Sequence, residues 1–353
     1  MKVLSLVGAR PQYIKEAVIN KALKEIGVEE IIVNSGQHYD FNMSDIFFRT
    51  LNIQAPKYNL KVGSGSHAEM TAKIMVGFEK VLETEKPDKV LVYGDTNTTL
   101  AGALTATKMH IPVGHVEAGV RMAIKGMPEE LNRVLTDHSS EYLFTATKSC
   151  VANLKAEGIT AGVYFTGDVL YDLYLRMRSD FRYDTFRDLN LKEGSYMLVT
   201  LHRDFNIDNV EKLTAILQSL ADISKTLRVV FPLHPRTKAR IESFGLQKLI
   251  ESISTTAPLE YLDLMGLVSK SALVLTDSGG LSKEAYFAEK YCLVMMEDST
   301  VRELLGTGFQ KLCNESNFRK LVEQGSWTKY RKGLFGNGTA GEKIAGIINR
   351  AGK

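Results

Sequence analysis

The sequence predicts an α/β fold built from two doubly wound layers, each Rossmann-like. Three observations predict it. Short β-branched apolar runs alternate with longer amphipathic stretches, and that rhythm restarts after a polar, Arg-rich segment near the middle of the chain. The polar, glycine-bearing motifs fall just behind the apolar runs, where open α/β sheets hold their ligands. At 353 residues, the chain is also longer than one hydrophobic core usually serves.

Taken in order, KVLSLVG (2–8), EEIIVNSG (29–36), KVLVYGD (89–95), PVGHVEAG (112–119) and EYLFTAT (141–147) read as buried parallel strands. Between them, PQYIKEAVINKALKEIG (11–27) and HAEMTAKIMVGFEKVLETE (67–85) carry apolar residues at helical spacing. VYFTGDVLYDLY (163–174) leads into the Arg-rich stretch 176–194, and new strands follow: SYMLVTLHR (195–203), LRVVFPLHP (227–235), ALVLTDSGG (272–280) and CLVMM (292–296). The boundary is expected near 167–190, giving domains at 1–170 and 171–353. The tail, 338–352, reads as a helix that could pack back on the first domain. Two such sheets facing one another would line a single cleft.

Composition excludes more than it selects. Lys and Arg number 44 against 41 Asp and Glu, a net charge of +3, far from the concentrated basic face that nucleic acid demands. No run reaches the ~20 apolar residues of a membrane span, and the N-terminus reads as a first strand rather than a signal peptide. Cys150, Cys292 and Cys313 are odd in number and form no CxxC, which suits a reducing, cytoplasmic setting. The histidines show no HxxxH or HExxH spacing, so no metal site is expected.

Among the motifs, Gly8-Ala9-Arg10-Pro11-Gln12 with Lys15 puts two cations at a helix start, which suits a phosphate; a Gly-Pro turn with solvated charges is the plain alternative. Gln37 and His38 follow the second strand as further ligand candidates. TDSGGLSKEAYF (276–287) ends a strand, turns on Gly279 and Gly280 and begins a helix near Leu281, a geometry suited to a diphosphate. Alternatively, Asp277 or Ser278 simply caps that helix. Glu284, one turn in, could bind sugar hydroxyls.

Asp95, Glu117 and Glu129 are the acid/base candidates, since carboxylates at neighbouring strand ends can converge on one pocket. Asp95 could instead be a turn residue, Glu129 and Glu130 first-turn helix residues, and Arg133 no more than the helical ion-pair partner of Glu129. His202 and His234 each close an apolar strand with an arginine nearby, Arg203 and Arg236.

With these motifs in hand, the chain closely resembles the non-hydrolysing UDP-N-acetylglucosamine 2-epimerase family. GARPQYIK, SGQHYD, YGDTNTTLAGAL, PVGHVEAGVR, MPEELNRVLTDH, FTGDVLYD, LHR, PLHPR and TDSGGLSKEAYF stand in the family's order over nearly the whole length. The resemblance implies a glycosyltransferase-B-like fold, a homodimer, no redox cofactor, and inversion at C2 of a UDP-2-acetamido sugar by elimination and re-addition of UDP. It implies Asp95, Glu117 and Glu129 as acid/base carboxylates, with His202 beside the diphosphate or the reacting carbon. It further implies Arg10, Lys15, Asn132 and Arg133 at the sugar and phosphates, Ser278, Gly279 and Gly280 at the diphosphate, and Glu284 at the ribose. His234 and Arg302 complete the expected substrate contacts. Departures fall in the second half: Phe205 and Ser282 replace a Glu and a Gln, Glu297 an Arg and Val301 a Glu, which bears on which sugar is taken. GARPQ, rather than GTRPE, is similar to the branch acting on diacetamido-uronic acids and other modified sugars. A glycosyltransferase on the same fold, a hydrolysing 2-epimerase and an inactive UDP-sugar-binding homologue are the competing readings.

Overall fold

The computed structural model describes residues 1–36, 54–122, 126–299, 301–325 and 328–350. The chain divides into two compact units, one of residues Met1–Leu175 with Gly333–Lys353 and the other of Arg176–Lys332.

The first unit is built on a parallel sheet in the order β3-β2-β1-β4-β5-β6-β7. Its strands are β1 (Lys2–Val7), β2 (Glu29–Asn34), β3 (Tyr58–Asn59), β4 (Lys89–Tyr93), β5 (Val113–Val116), β6 (Tyr142–Thr145) and β7 (Val163–Phe165). Central strands are mostly apolar and buried, with Ser5 and His115 the polar exceptions inside β1 and β5, because helices cover both faces. Leu4, Leu6, Val90 and Val92 are fully buried, packed with Ile74, Phe78 and Ala103 on one side. The direction of winding reverses between β1 and β4, which makes that gap the sheet's switch point.

The second unit repeats the plan with the order β10-β9-β8-β11-β12-β13. Here β8 is Tyr196–Thr200, β9 Arg228–Pro232, β10 Ser254–Thr256, β11 Leu273–Thr276, β12 Tyr291–Val294 and β13 Gln310–Leu312. Its core gathers Val199, Leu213, Leu217, Phe231, Leu275 and Phe318, and its switch point lies between β8 and β11.

The last helix, Ala340–Arg350, belongs to the first unit, against the helix Arg10–Glu25. Ile344 and Ile348 are fully buried there. Approach is close enough that a Cβ on Gly341 would lie 2.8 Å from Val18 Cγ1 and 3.1 Å from its carbonyl. Both helix ends are tied: Asp172 accepts from the Gly341 N–H at 2.8 Å, and the buried Lys89 Nζ donates to the Ile348 carbonyl at 2.6 Å. Among the described residues, no helix is long and apolar enough to cross a membrane.

Candidate functional site

At the first sheet's switch point, two loops leave adjacent strands and are laced together by Gln12. Its Oε1 accepts from the Gly8 and Ala9 N–H groups at 2.8 and 2.9 Å, while Nε2 donates to the Tyr93 carbonyl at 2.8 Å and to Thr99 Oγ1 at 2.9 Å. The primary amide supplies two acceptor lone pairs and two N–H donors from one planar end group, matching the two N–H groups on one side and the carbonyl and hydroxyl on the other. Gly8 has no room for a side chain, since a Cβ there would meet Ser35 Oγ at 2.0 Å. The Arg10–Glu25 helix starts directly behind this turn, with Arg10 as its first residue.

Lys15, one turn into that helix and 7% exposed, forms an ion pair with Glu117. Its ammonium stands over the β4 turn, where a Cβ on Gly94 would lie 3.4 Å from Nζ. Glu117 leaves β5 with φ +74°, a left-handed backbone that a non-glycine residue holds only at a cost on the order of 1–3 kcal/mol. Strain of that kind, on a carboxylate beside a buried cation, is a mark of a functional position.

Asp95 is held from the helix Pro128–Ser139. Arg133, 6% exposed, ion-pairs with the Asp95 carboxylate, and Asn132 Nδ2 donates to the Asp95 carbonyl at 2.9 Å. The same guanidinium reaches Glu130 Oε2 at 3.2 Å, and Glu130 also accepts from the Met122 N–H. Arg133 therefore reaches across to the strand end and to its i−3 neighbour. It does not pair with Glu129, as helical spacing had suggested. Glu129 is half-buried in the first turn, ahead of Asn132 and Arg133.

Beneath these groups lies a buried pair that the sequence reading did not single out. His115 Nδ1 is 2.7 Å from Asp137 Oδ1, and its Nε2 is 2.7 Å from the Gly94 carbonyl. Burial works to raise the Asp137 carboxyl, but His115 and Arg121 outweigh it and hold it below the usual carboxylate range. The pair anchors the turn that presents Asp95.

In the second unit, the carboxyl edge of β8, β9 and β11 collects His202, His234 and Ser278. Asp277 is fully buried and does not cap the helix that follows. It turns the other way, accepting from the N–H groups of His202 and Arg203 at 3.0 and 2.9 Å and from Asn206 Nδ2 at 3.1 Å. Ser278 is the cap, its Oγ accepting from the Leu281 N–H at 3.3 Å, and the helix Gly279–Phe287 begins two residues earlier than expected. A Cβ on Gly280 would have only Ser278 Oγ, at 3.8 Å, for company, which leaves that turn open to a ligand. Glu284 is half-buried within the same helix.

His234 Nδ1 accepts from the Arg236 N–H at 3.2 Å at the start of the helix Pro235–Ser243. Arg302 is exposed and donates to Asp298 at 2.8 Å. Ser282 Oγ is turned onto its own helix, at the Gly279 carbonyl, and Phe205 is exposed with the Lys212 ammonium 5.8 Å from its ring. Gln37 and His38 lie outside the described residues.

The first unit thus brings Lys15, Asp95, Glu117, Asn132 and Arg133 together, and the second groups His202, His234, Ser278 and Gly279. Nothing in the sequence signalled the roles of Gln12, His115, Asp137 and Asp277, because each has a decisive partner distant in the chain.

A UDP-N-acetylglucosamine 2-epimerase family profile matches residues 21–349. A UDP-2,3-diacetamido-2,3-dideoxy-D-glucuronate 2-epimerase from Pseudomonas aeruginosa is 42% identical, over 98% of each chain. A UDP-N-acetylglucosamine 2-epimerase homologue from Methanococcus maripaludis is 41% identical over 99% of each chain. Among solved structures, the Methanocaldococcus jannaschii UDP-GlcNAc 2-epimerase, in complex with UDP-GlcNAc and UDP, superimposes with a TM-score of 0.87 at 39% identity, covering 99% of this chain and 100% of that one. Match over nearly full length, motif order and paired parallel sheets agree, and the chain belongs to the UDP-N-acetylglucosamine 2-epimerase family.

Proposed function

We propose that this chain inverts C2 of a UDP-2-acetamido sugar, eliminating UDP to a 2-acetamidoglucal and adding it back for the opposite configuration at C2. The observation that carries the reading is the pairing of two strand-end carboxylates with buried cations, Asp95 with Arg133 and Glu117 with Lys15. A C2 proton is only weakly acidic, so its removal needs a placed base and a stabilised leaving group together. A base on one face and an acid on the other must each serve C2, and Asp95, Glu117 and Glu129 supply the carboxylates for those tasks. Lys15, Arg10 and Arg133 counter the negative charge of the diphosphate and of the carboxylates at once. Ser278, Gly279 and Gly280 hold the diphosphate at the helix start, Glu284 the ribose, and His202 stands at the departing oxygen. Gln37, His38, Asn132, His234 and Arg302 bind the remainder of the nucleotide sugar. A cytoplasmic homodimer is the assembly that suits this reading, and the three buried cysteines, odd in number and without a CxxC pair, support it as to compartment.

Proton NMR in D2O tests it, with a panel of UDP-N-acetylglucosamine, UDP-2,3-diacetamido-glucuronate and 6-deoxy forms. Deuterium at C2 with a new anomeric signal is the expected result and names the sugar. Binding without exchange across the whole panel would favour a sugar transferase instead.

A further inference from the structure

Two imidazoles lie side by side at the second sheet's carboxyl edge, with ring centroids of His202 and His234 5.4 Å apart and planes inclined by 34°. Their surroundings set them apart. His234 Nδ1 accepts a main-chain N–H, which leaves its proton on Nε2. Burial, together with the neighbouring His202 and Arg236, holds its affinity for a second proton below the ordinary histidine range. His202 instead turns Nδ1 to Asp277, 3.2 Å from Oδ1. Asp277 is inaccessible to solvent and is ringed by three other donors, the N–H groups of His202 and Arg203 and the Asn206 amide. Those bonds lock the carboxylate's position, so the imidazole must orient to it and not the reverse.

We infer that Asp277 is a positioning residue that keeps a proton on His202 Nδ1 and thereby presents His202 Nε2 to the bound nucleotide sugar. The inference rests on the proposed function, in which His202 acts at the leaving diphosphate. As the C1–O bond breaks, its electron pair passes to the diphosphate oxygen, and the Nε2 proton of the imidazolium moves to that oxygen. On return the oxygen re-forms the C1–O bond and the proton goes back to Nε2. Asp277 stabilises the imidazolium without exchanging a proton itself. His234 flanks the His202 ring, and its Nδ1 is taken by the Arg236 N–H rather than by a carboxylate.

Asp277→Asn tests this. The amide oxygen can still accept the main-chain N–H groups, but its NH2 would face Nδ1 and drive the ring to the wrong tautomer. The expected outcome is a kcat for C2 exchange lowered by about 10²–10⁴-fold, with KM and UDP binding by calorimetry within about threefold of wild type. The pair should act as a unit, so His202→Asn with Asp277→Asn should be no slower than His202→Asn alone. A kcat within about threefold of wild type, or multiplicative losses in the double variant, would overturn the inference. If Asp277→Asn does not fold, 15N-histidine NMR of the wild-type chain decides, with the His202 signals assigned from His202→Asn. Protonated Nδ1 is the expected state, and a proton on Nε2 alone refutes it. Failure of the epimerase reading is separable: there the wild type exchanges C2 of no UDP-sugar, whereas here the wild type works and Asp277→Asn works equally well.

Discussion

Glu16 and Glu30 present the sharpest electrostatic problem at the scale of single residues. Both are buried, and neither Glu16 oxygen has a hydrogen-bond partner among the described residues. Glu30 is served by Ser5 and by Asn20. Burial pushes Glu30 up from the usual 4.5 to about 7, against the pull of those two hydrogen bonds, and burial with the Glu30 charge pushes Glu16 up as well. The sign of the linkage follows. The unfolded chain loses these protons near 4.5 while the folded chain keeps them, so their stability contribution is whole below that pH and is lost as pH rises toward about 7. Glu16→Gln should flatten the fall of Tm between pH 5 and 8 and raise Tm at pH 8; an unchanged pH slope would count against a protonated pair. At the proposed site, Asp95→Asn or Glu129→Gln should abolish C2 proton exchange while calorimetry still finds UDP bound. Unchanged exchange in both would remove these carboxylates from the mechanism. The acidic candidates were legible as residues, because polar groups behind apolar runs stand out. Their partners were not: helical spacing offered Glu129 as the plain partner of Arg133, yet the guanidinium reaches Asp95, 38 positions away.

At the scale of elements, the central strands were legible because burial on both faces makes them near-continuous apolar runs. Edge strands escaped for the same reason. Tyr58–Asn59, Ser254–Thr256 and Gln310–Leu312 are two or three residues long and polar, paired on one side only. The last helix was legible as amphipathic, but its docking depends on a glycine contact with Val18 that no periodicity announces. Gly341→Val should force the two helices apart and lower stability by about 1–3 kcal/mol, read as a shift of the urea midpoint. Gly346, whose added Cβ would meet nothing within 4 Å, is the control, and Gly346→Ala should be neutral or slightly stabilising.

At the scale of the whole molecule, the two units have separate sheets and separate cores, and the chain re-enters the first unit at Gly333. Residues 1–175 alone would leave Val18 and the neighbouring face of the first helix bare. Co-expression of 333–353 with that fragment should restore a cooperative thermal transition that the fragment by itself lacks. Identical melts with and without the tail would show that its docking is dispensable.

Strand-and-helix rhythm, the restart near the middle and the order of the motifs were determined by the sequence alone, since each is a local pattern of apolar spacing or of residues adjacent in the chain. Only the tertiary structure decided that Gln12 laces two loops together, that His115 and Asp137 anchor the Asp95 turn, and that Asp277 faces His202 rather than its own helix. Those choices are made by hydrogen bonds between strand ends far apart in sequence, where burial leaves each polar group one set of partners and the order of residues names none of them.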